Sequence, residues 1–187
     1  MDVPAGWRPE ALNSGWTYCD RVRSEEQSAR LSDVMERRHR HSSAAIWQQR
    51  MASGEITLNG LDCPLDVEVK AGDWIRWARP PWVEAAVPDQ WEVIHDDGDV
   101  LVVNKPSGLP VMPGGGFLVH TLTSFLERGS RSEGEELVPK PIHRLGRFTS
   151  GLQVCARRPE TRAALSKQFR PEGCLLYTSD AADELRS

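Results

Sequence analysis

The chain has 187 residues, of which 39% are hydrophobic and 27% charged, with a formal net charge of −4. That balance belongs to a folded globular protein and excludes a low-complexity or largely disordered chain. There is no run of about eighteen apolar residues to span a membrane, and the start MDVPAGWRPE lacks the basic-then-apolar layout of a secretory signal, so a cytoplasmic protein is expected.

Residues 1–28 carry Pro4, Gly6, Pro9 and Gly15 with little apolar periodicity, and are expected to form an extended lead-in. From Ala29 the text changes. Leu31, Val34 and Met35 recur at three- and four-residue steps, which predicts one face of a helix. Ser42 or Ser43 can cap a second helix, 44–52, ending at Gly54, the residue best suited to a left-handed turn. Ile56 and Leu58 then alternate with polar residues, Asn59-Gly60 favours a tight hairpin, and Val67, Val69 and Trp74-Ile75 predict further strands around the turn Ala71-Gly72-Asp73. Helix, capped helix, SGEITLNG, then VKAGDWIRW resembles the S-four-type RNA-binding module, placed here over 29–78. The resemblance implies RNA-phosphate contacts from Arg38, Arg40, Ser43 and Arg50. A small α/β cap with no RNA role is the alternative reading of the same elements.

Arg79-Pro80-Pro81-Trp82 and Val87-Pro88 predict a stiff linker over 79–90. A new domain is expected from Trp91. Trp91 to Ile94 and Val100 to Val103 predict strands flanking the acidic turn His95-Asp96-Asp97-Gly98-Asp99. Asn104-Lys105-Pro106-Ser107-Gly108 is a turn by composition, and Gly114-Gly115-Gly116 reads as a connector, since no lysine and Ser/Thr follow it as a phosphate loop requires. A helix is predicted over 119–126 and a polar loop over 129–136. In 141–156, Leu152, Val154 and Ala156 alternate as in a strand, while 143–151 is crowded with anion-gripping side chains. Pro159 then opens an amphipathic helix with Leu165 and Phe169 four apart.

Charge is unevenly distributed. Lys140, Arg144, Arg147, Arg157, Arg158, Arg162, Lys167 and Arg170 face a single acid, Glu160, within residues 140–170. The segment 21–50 is also basic, with seven arginines against Glu25, Glu26, Asp33 and Glu36. Such patches suit a nucleic acid or an ordinary charged helix face equally. Cys19, Cys63, Cys155 and Cys174 are scattered singly, and His39 and His41 lie among Arg37, Arg38 and Arg40, so a solvated basic face is expected there rather than a metal site.

The three ordered blocks VLVVNKPSGLPV, HRLGRFTSGLQVCAR and LSKQF resemble the RluA-type RNA pseudouridine synthases, whose active loop reads His-Arg-Leu-Asp-x-x-Thr-Ser-Gly-Leu. The implied fold is α+β: the S-four-like module followed, over 91–173, by the N-terminal part of a mixed, mainly antiparallel sheet domain. The implied activity is isomerisation of uridine to pseudouridine in structured RNA, ribosomal or transfer, with no cofactor or metal, no DNA or membrane partner, and a monomer by default.

That reaction requires the uridine to leave its stack, at roughly a few kcal/mol, and a carboxylate beside the ribose and base. The resemblance assigns RNA and uridine contacts to His143, Arg144, Arg147, Thr149 and Ser150; read from the residues alone, His143 suits a hydrogen-bonding brace rather than a general base, and Thr149 and Ser150 suit tying the loop to the sheet at least as well as substrate contact. The family's aspartate position is Gly146. Three accounts stand: a carboxylate supplied by Asp96, Asp97 or Asp99, a non-catalytic RNA-binding protein on the same scaffold, or an error in the text. Residues 174–187 resemble translated sequencing adapter and are expected to be a non-native tail, so Tyr177 is not assigned the base-stacking role of the family's tyrosine.

Overall fold

A computed structural model of the chain describes residues 4–169. It divides into two compact units, Leu12–Trp82 and the chain before residue 12 together with that from Val83 onward. Both are α and β mixtures with antiparallel sheets.

In the first unit, β1 (Trp16–Arg21), α1 (Leu31–Arg38), α2 (Ala44–Ala52), β2 (Ile56–Leu58), β3 (Leu61–Asp62) and β4 (Trp74–Arg79) follow in chain order. The sheet is antiparallel in the order β1-β4-β2-β3. Its inner face and the two helices enclose Leu31, Val34, Met35, Trp47, Met51, Ile56, Ile75 and Trp77. The helical spacing of the first three and the alternation of the sheet residues are what bring these side chains to one side. Asn59 and Gly60 adopt φ of 53° and 81°, the left-handed pair that closes a two-residue hairpin between β2 and β3.

Three expectations differ from this unit. Trp16–Arg21 is a strand rather than part of an extended lead-in, and it is an edge strand with no fully buried side chain, so apolar alternation could not mark it. Val67 and Val69 lie beside Ser28–Leu31, joined by main-chain bonds and an isolated bridge between Arg30 and Glu68. Asp66 fixes that segment to α1, accepting from the Ser32 amide at 2.9 Å and the Ser32 hydroxyl at 2.7 Å. His39 is packed against Tyr18, Trp47 and Trp77 instead of standing on a solvated face.

In the second unit, Trp7–Arg8 pairs with Val87–Pro88. There follow β5 (Glu92–Asp96), β6 (Val100–Lys105), α3 (Leu122–Glu133), β7 (Lys140–Pro141), β8 (Gly151–Ala156) and α4 (Pro159–Gln168). The sheet is antiparallel in the order β7-β8-β6-β5. Val87, Leu101, Val103, Leu109, Phe117, Leu122, Phe125 and Cys155 form its core. Burial among these groups pushes the Cys155 thiol up to about 12, so it is an inert core residue.

The helix predicted over 119–126 lies later, at 122–133, and takes in most of the expected polar loop. Residues 118–120 are held outside it because their three amides converge on the carboxylate of Glu84. Thr121 then caps the helix, its hydroxyl accepting from the Ser124 amide at 3.3 Å, and Gly134 ends it with φ of 74°. α4 buries no residue completely, so the amphipathic character expected of it is not realised within the described residues. Among those residues no helix is long and apolar enough to cross a membrane. Residues 170–187, including the expected tail and Tyr177, lie outside the described residues.

Candidate active site

The loop 143–150 reaches β8 at the end of the sheet where Lys105 pairs with Gly151. Its position is fixed from below by a lysine. Lys105 is completely buried, and its ammonium donates to the carbonyls of Pro106 and Leu109, both at 2.8 Å, and of Arg147 at 3.2 Å. Burial holds its pKa below the ordinary lysine value, and three carbonyl dipoles receive the protons that solvent would otherwise take.

The 106–109 turn grips the same loop along its edge. The Gly108 amide donates to the Arg147 carbonyl at 2.8 Å, while Arg147 Nε donates back to the Gly108 carbonyl at 3.1 Å. Ser107 donates to the Phe148 carbonyl at 2.8 Å. The Arg147 guanidinium also lies over the rings of Phe117 and Phe148, at 4.5 and 4.9 Å from their centroids. A cation held this way is oriented without being neutralised.

On the other side, Gln153 is fully buried beneath the loop. Its amide nitrogen donates to the His143 carbonyl at 2.6 Å and its oxygen accepts from the Leu145 amide at 3.3 Å. His143 Nε2 accepts from the Val154 amide at 3.0 Å, which requires the proton to sit on Nδ1. Its ring stacks on Phe169 at 4.8 Å with 6° between planes, and burial lowers its pKa. The structure therefore gives His143 a bracing position.

Arg144, Gly146, Thr149 and Ser150 are exposed on this loop, together with the half-buried Arg147. Neither Arg144 nor Arg147 pairs with an acid among the described residues. Two guanidinium groups uncompensated by carboxylates are suited to hold phosphate oxygens. Thr149 and Ser150 make no side-chain hydrogen bond among the described residues. Lys105, Ser107, Gly108 and Gln153 tie the loop to the sheet in their place. None of these four was selected from the sequence, although a lysine ending a buried apolar strand and followed by proline was a visible signal.

Gly146 lies in a turn closed by the Thr149 amide on the Gly146 carbonyl at 3.1 Å. Its φ is outside the left-handed region, and an added Cβ would meet only the Thr149 hydroxyl, at 3.2 Å. The backbone does not demand glycine there. Asp96, Asp97 and Asp99 cannot supply the missing carboxylate as they stand, because they occupy the opposite end of β6, about 17 Å away along the strand. Each also has its own partners. Asp96 forms a paired contact with Arg157 at 2.8 and 3.0 Å, Asp97 accepts from the amides of Asp99 and Val100, and Asp99 accepts from the Arg158 amide and Thr161.

The model of the RNA pseudouridylate synthase family matches residues 99–181, a stretch that contains β6, the loop and β8. The chain is similar to RNA pseudouridine synthases. It is 40% identical over 144 residues to an uncharacterized RNA pseudouridine synthase of Synechocystis sp., covering 77% of this chain and 48% of that protein. RNA pseudouridine synthase 5 of Arabidopsis thaliana is 33% identical over 186 residues, with 92% of this chain and 49% of that protein covered. Ribosomal large subunit pseudouridine synthase D of Xylella fastidiosa is 33% identical over 128 residues, covering 63% of this chain and 36% of that protein. The chain spans about half the length of the first two of these pseudouridine synthases.

The four residues assigned to RNA in the first unit are placed differently from one another. Arg38 is paired with the buried Glu26, its Nε donating at 2.9 Å, and this ion pair holds the Glu26 carboxyl below its ordinary pKa. Arg50 lies over Trp47 and Trp77, at 4.4 and 5.0 Å, and donates to Ser42 at 3.2 Å. The Arg38 guanidinium is thus engaged by a buried acid and that of Arg50 by the aromatic core. Arg40 and Ser43 are exposed, Ser43 at the N-cap of α2 without a side-chain cap bond.

Proposed function

We propose that this chain forms the uridine-gripping portion of an RNA pseudouridine synthase acting on structured ribosomal or transfer RNA in the cytoplasm, with 29–78 serving as an S-four-like RNA-binding module. In this reading the expected linker 79–90 shortens, because the strand Trp74–Arg79 belongs to the first unit and the chain from Val83 onward to the partial synthase domain. The observation that carries this reading is the exposed loop bearing Arg144 and Arg147, held rigidly by a buried lysine and glutamine and left without acidic partners. Arg144 is the phosphate ligand, Arg147 is presented by its two phenylalanines toward the space a displaced base vacates, and His143 keeps the loop backbone in place.

The reaction needs a carboxylate at the sugar, and position 146 provides none. This favours a second reading, a protein that grips RNA on the same scaffold without isomerising it. One assay separates the two. The protein and its Gly146→Asp variant are incubated with RNA tritiated at uracil carbon five, and tritium release is followed. Release rising by at least about a hundredfold in the variant supports a synthase site lacking only its acid. Tight RNA binding with no release from either form supports the binding protein, and absence of binding by both ends the proposal.

A further inference from the structure

The outer face of the first unit's sheet carries a side-chain arrangement that the loop chemistry does not use. Trp74 and Arg76 point outward from β4, alternating with the buried Ile75 and Trp77. Across the sheet, Arg21 of β1 pairs with Trp74 in register and Cys19 with Arg76. The Arg21 guanidinium lies 5.0 Å from the Trp74 ring centroid, and the indole remains 50% exposed. Thr57 of β2 flanks Arg76 on the same face.

We propose that this face binds an unpaired stretch of RNA, with one nucleobase stacking on the open side of Trp74 and the adjoining phosphates held by Arg21 and Arg76. A sheet face presenting an indole beside two guanidinium groups offers both interactions a single strand needs: a π-face indifferent to base identity and positive charge along the backbone. Arg21 and Arg76 are diagonal neighbours across the β1–β4 pair, about 7–8 Å apart at the backbone, a separation that successive phosphates can span. Nearby acid is limited. Asp73 is bonded to Asn59 and the Lys70 amide, and Asp62 sits across β2 opposite Thr57, at the far edge of the face. A duplex cannot use the indole, since its bases are already stacked.

The inference rests on RNA being the partner, but not on the chemistry at position 146. Binding of the full chain to an unstructured uridine-rich oligonucleotide and to a duplex of equal length is measured by fluorescence anisotropy. Trp74→Leu is expected to weaken single-strand binding roughly tenfold and duplex binding little, while Trp74→Phe retains it. A 5-bromouridine oligonucleotide is expected to cross-link to the peptide containing Trp74. Full single-strand affinity in Trp74→Leu, or cross-links confined to other peptides, overturns the proposal, as does a preference of this face for a protein partner unaffected by excess RNA. Tritium release from the Gly146→Asp variant is read separately, so an inactive loop with an intact Trp74 effect leaves this site standing.

Discussion

The ammonium group of Lys105 donates a hydrogen bond at 3.2 Å to the main-chain carbonyl of Arg147, 42 residues further along the chain. A buried cation thus sets the height of the loop above the sheet, and among the described residues it does so through carbonyls and not a carboxylate. Replacing it by methionine keeps the shape but takes this donor from the Pro106 and Leu109 carbonyls, while the Arg147 carbonyl keeps the Gly108 amide. Lys105→Met is expected to lower unfolding stability by about 1–3 kcal/mol in urea titrations. A change under a few tenths would show that water reaches these carbonyls.

Glu84 is fully buried and gathers the amides of Leu118, Val119 and His120 just before α3 begins. Glutamine presents one acceptor oxygen and an NH₂ group facing donors. Glu84→Gln should therefore destabilise by about 1–3 kcal/mol, and amide exchange should accelerate at 118–120 before the rest of the unit. Uniform protection across both forms would contradict the role given to this carboxylate.

His143 has its pKa lowered by burial from the usual 6.5, and in the folded state its Nε2 must accept a hydrogen bond. A histidine with a depressed folded pKa contributes stability that is complete above the unfolded value and is lost as pH falls through the folded one. His39 and His41 are shifted in the same direction, so the global melting temperature mixes three groups. Exchange of the Val154 amide isolates the one of interest. Its protection is expected to decline as pH drops below about 6.5, and to become independent of pH in that range in His143→Gln.

Gly146 in the loop and Gly151 at the start of β8 should respond differently to the same replacement. Gly146→Asp places a side chain on ordinary backbone, and stability is expected to change by no more than about 0.5 kcal/mol. Gly151 has φ of 129°, where a side chain is strained, and Gly151→Asp is expected to cost about 1–3 kcal/mol. Thermal unfolding of the two variants side by side checks the contrast.

Thr121→Ala removes the hydroxyl that accepts from the Ser124 amide. Loss of that cap should cost about 1 kcal/mol, with fraying of α3 from Leu122 visible by amide exchange. Retained protection at Leu122–Phe125 would mean the Glu84 contacts alone start the helix.

Local chemistry made much of this molecule legible from its residues. Asn59-Gly60 dictates its turn because few other pairs tolerate two successive left-handed residues, and the apolar steps of Leu31, Val34 and Met35 determine a buried helix face. The crowding of arginines, histidine and hydroxyls over 143–150 likewise marks a candidate site without any coordinates. Tertiary structure alone decided what the charged and polar side chains touch. Arg38 touches Glu26, Arg50 lies over Trp47 and Trp77, and the aspartates of 96–99 are engaged at the far end of the sheet, while Lys105 and Glu84 turn inward to hold segments distant in sequence and Gln153 holds the loop that precedes its own strand. Hydrogen-bond partners brought together across 34 to 42 residues leave no periodic signal in the chain, since their spacing depends on how strands pair and not on the repeat of any helix or strand.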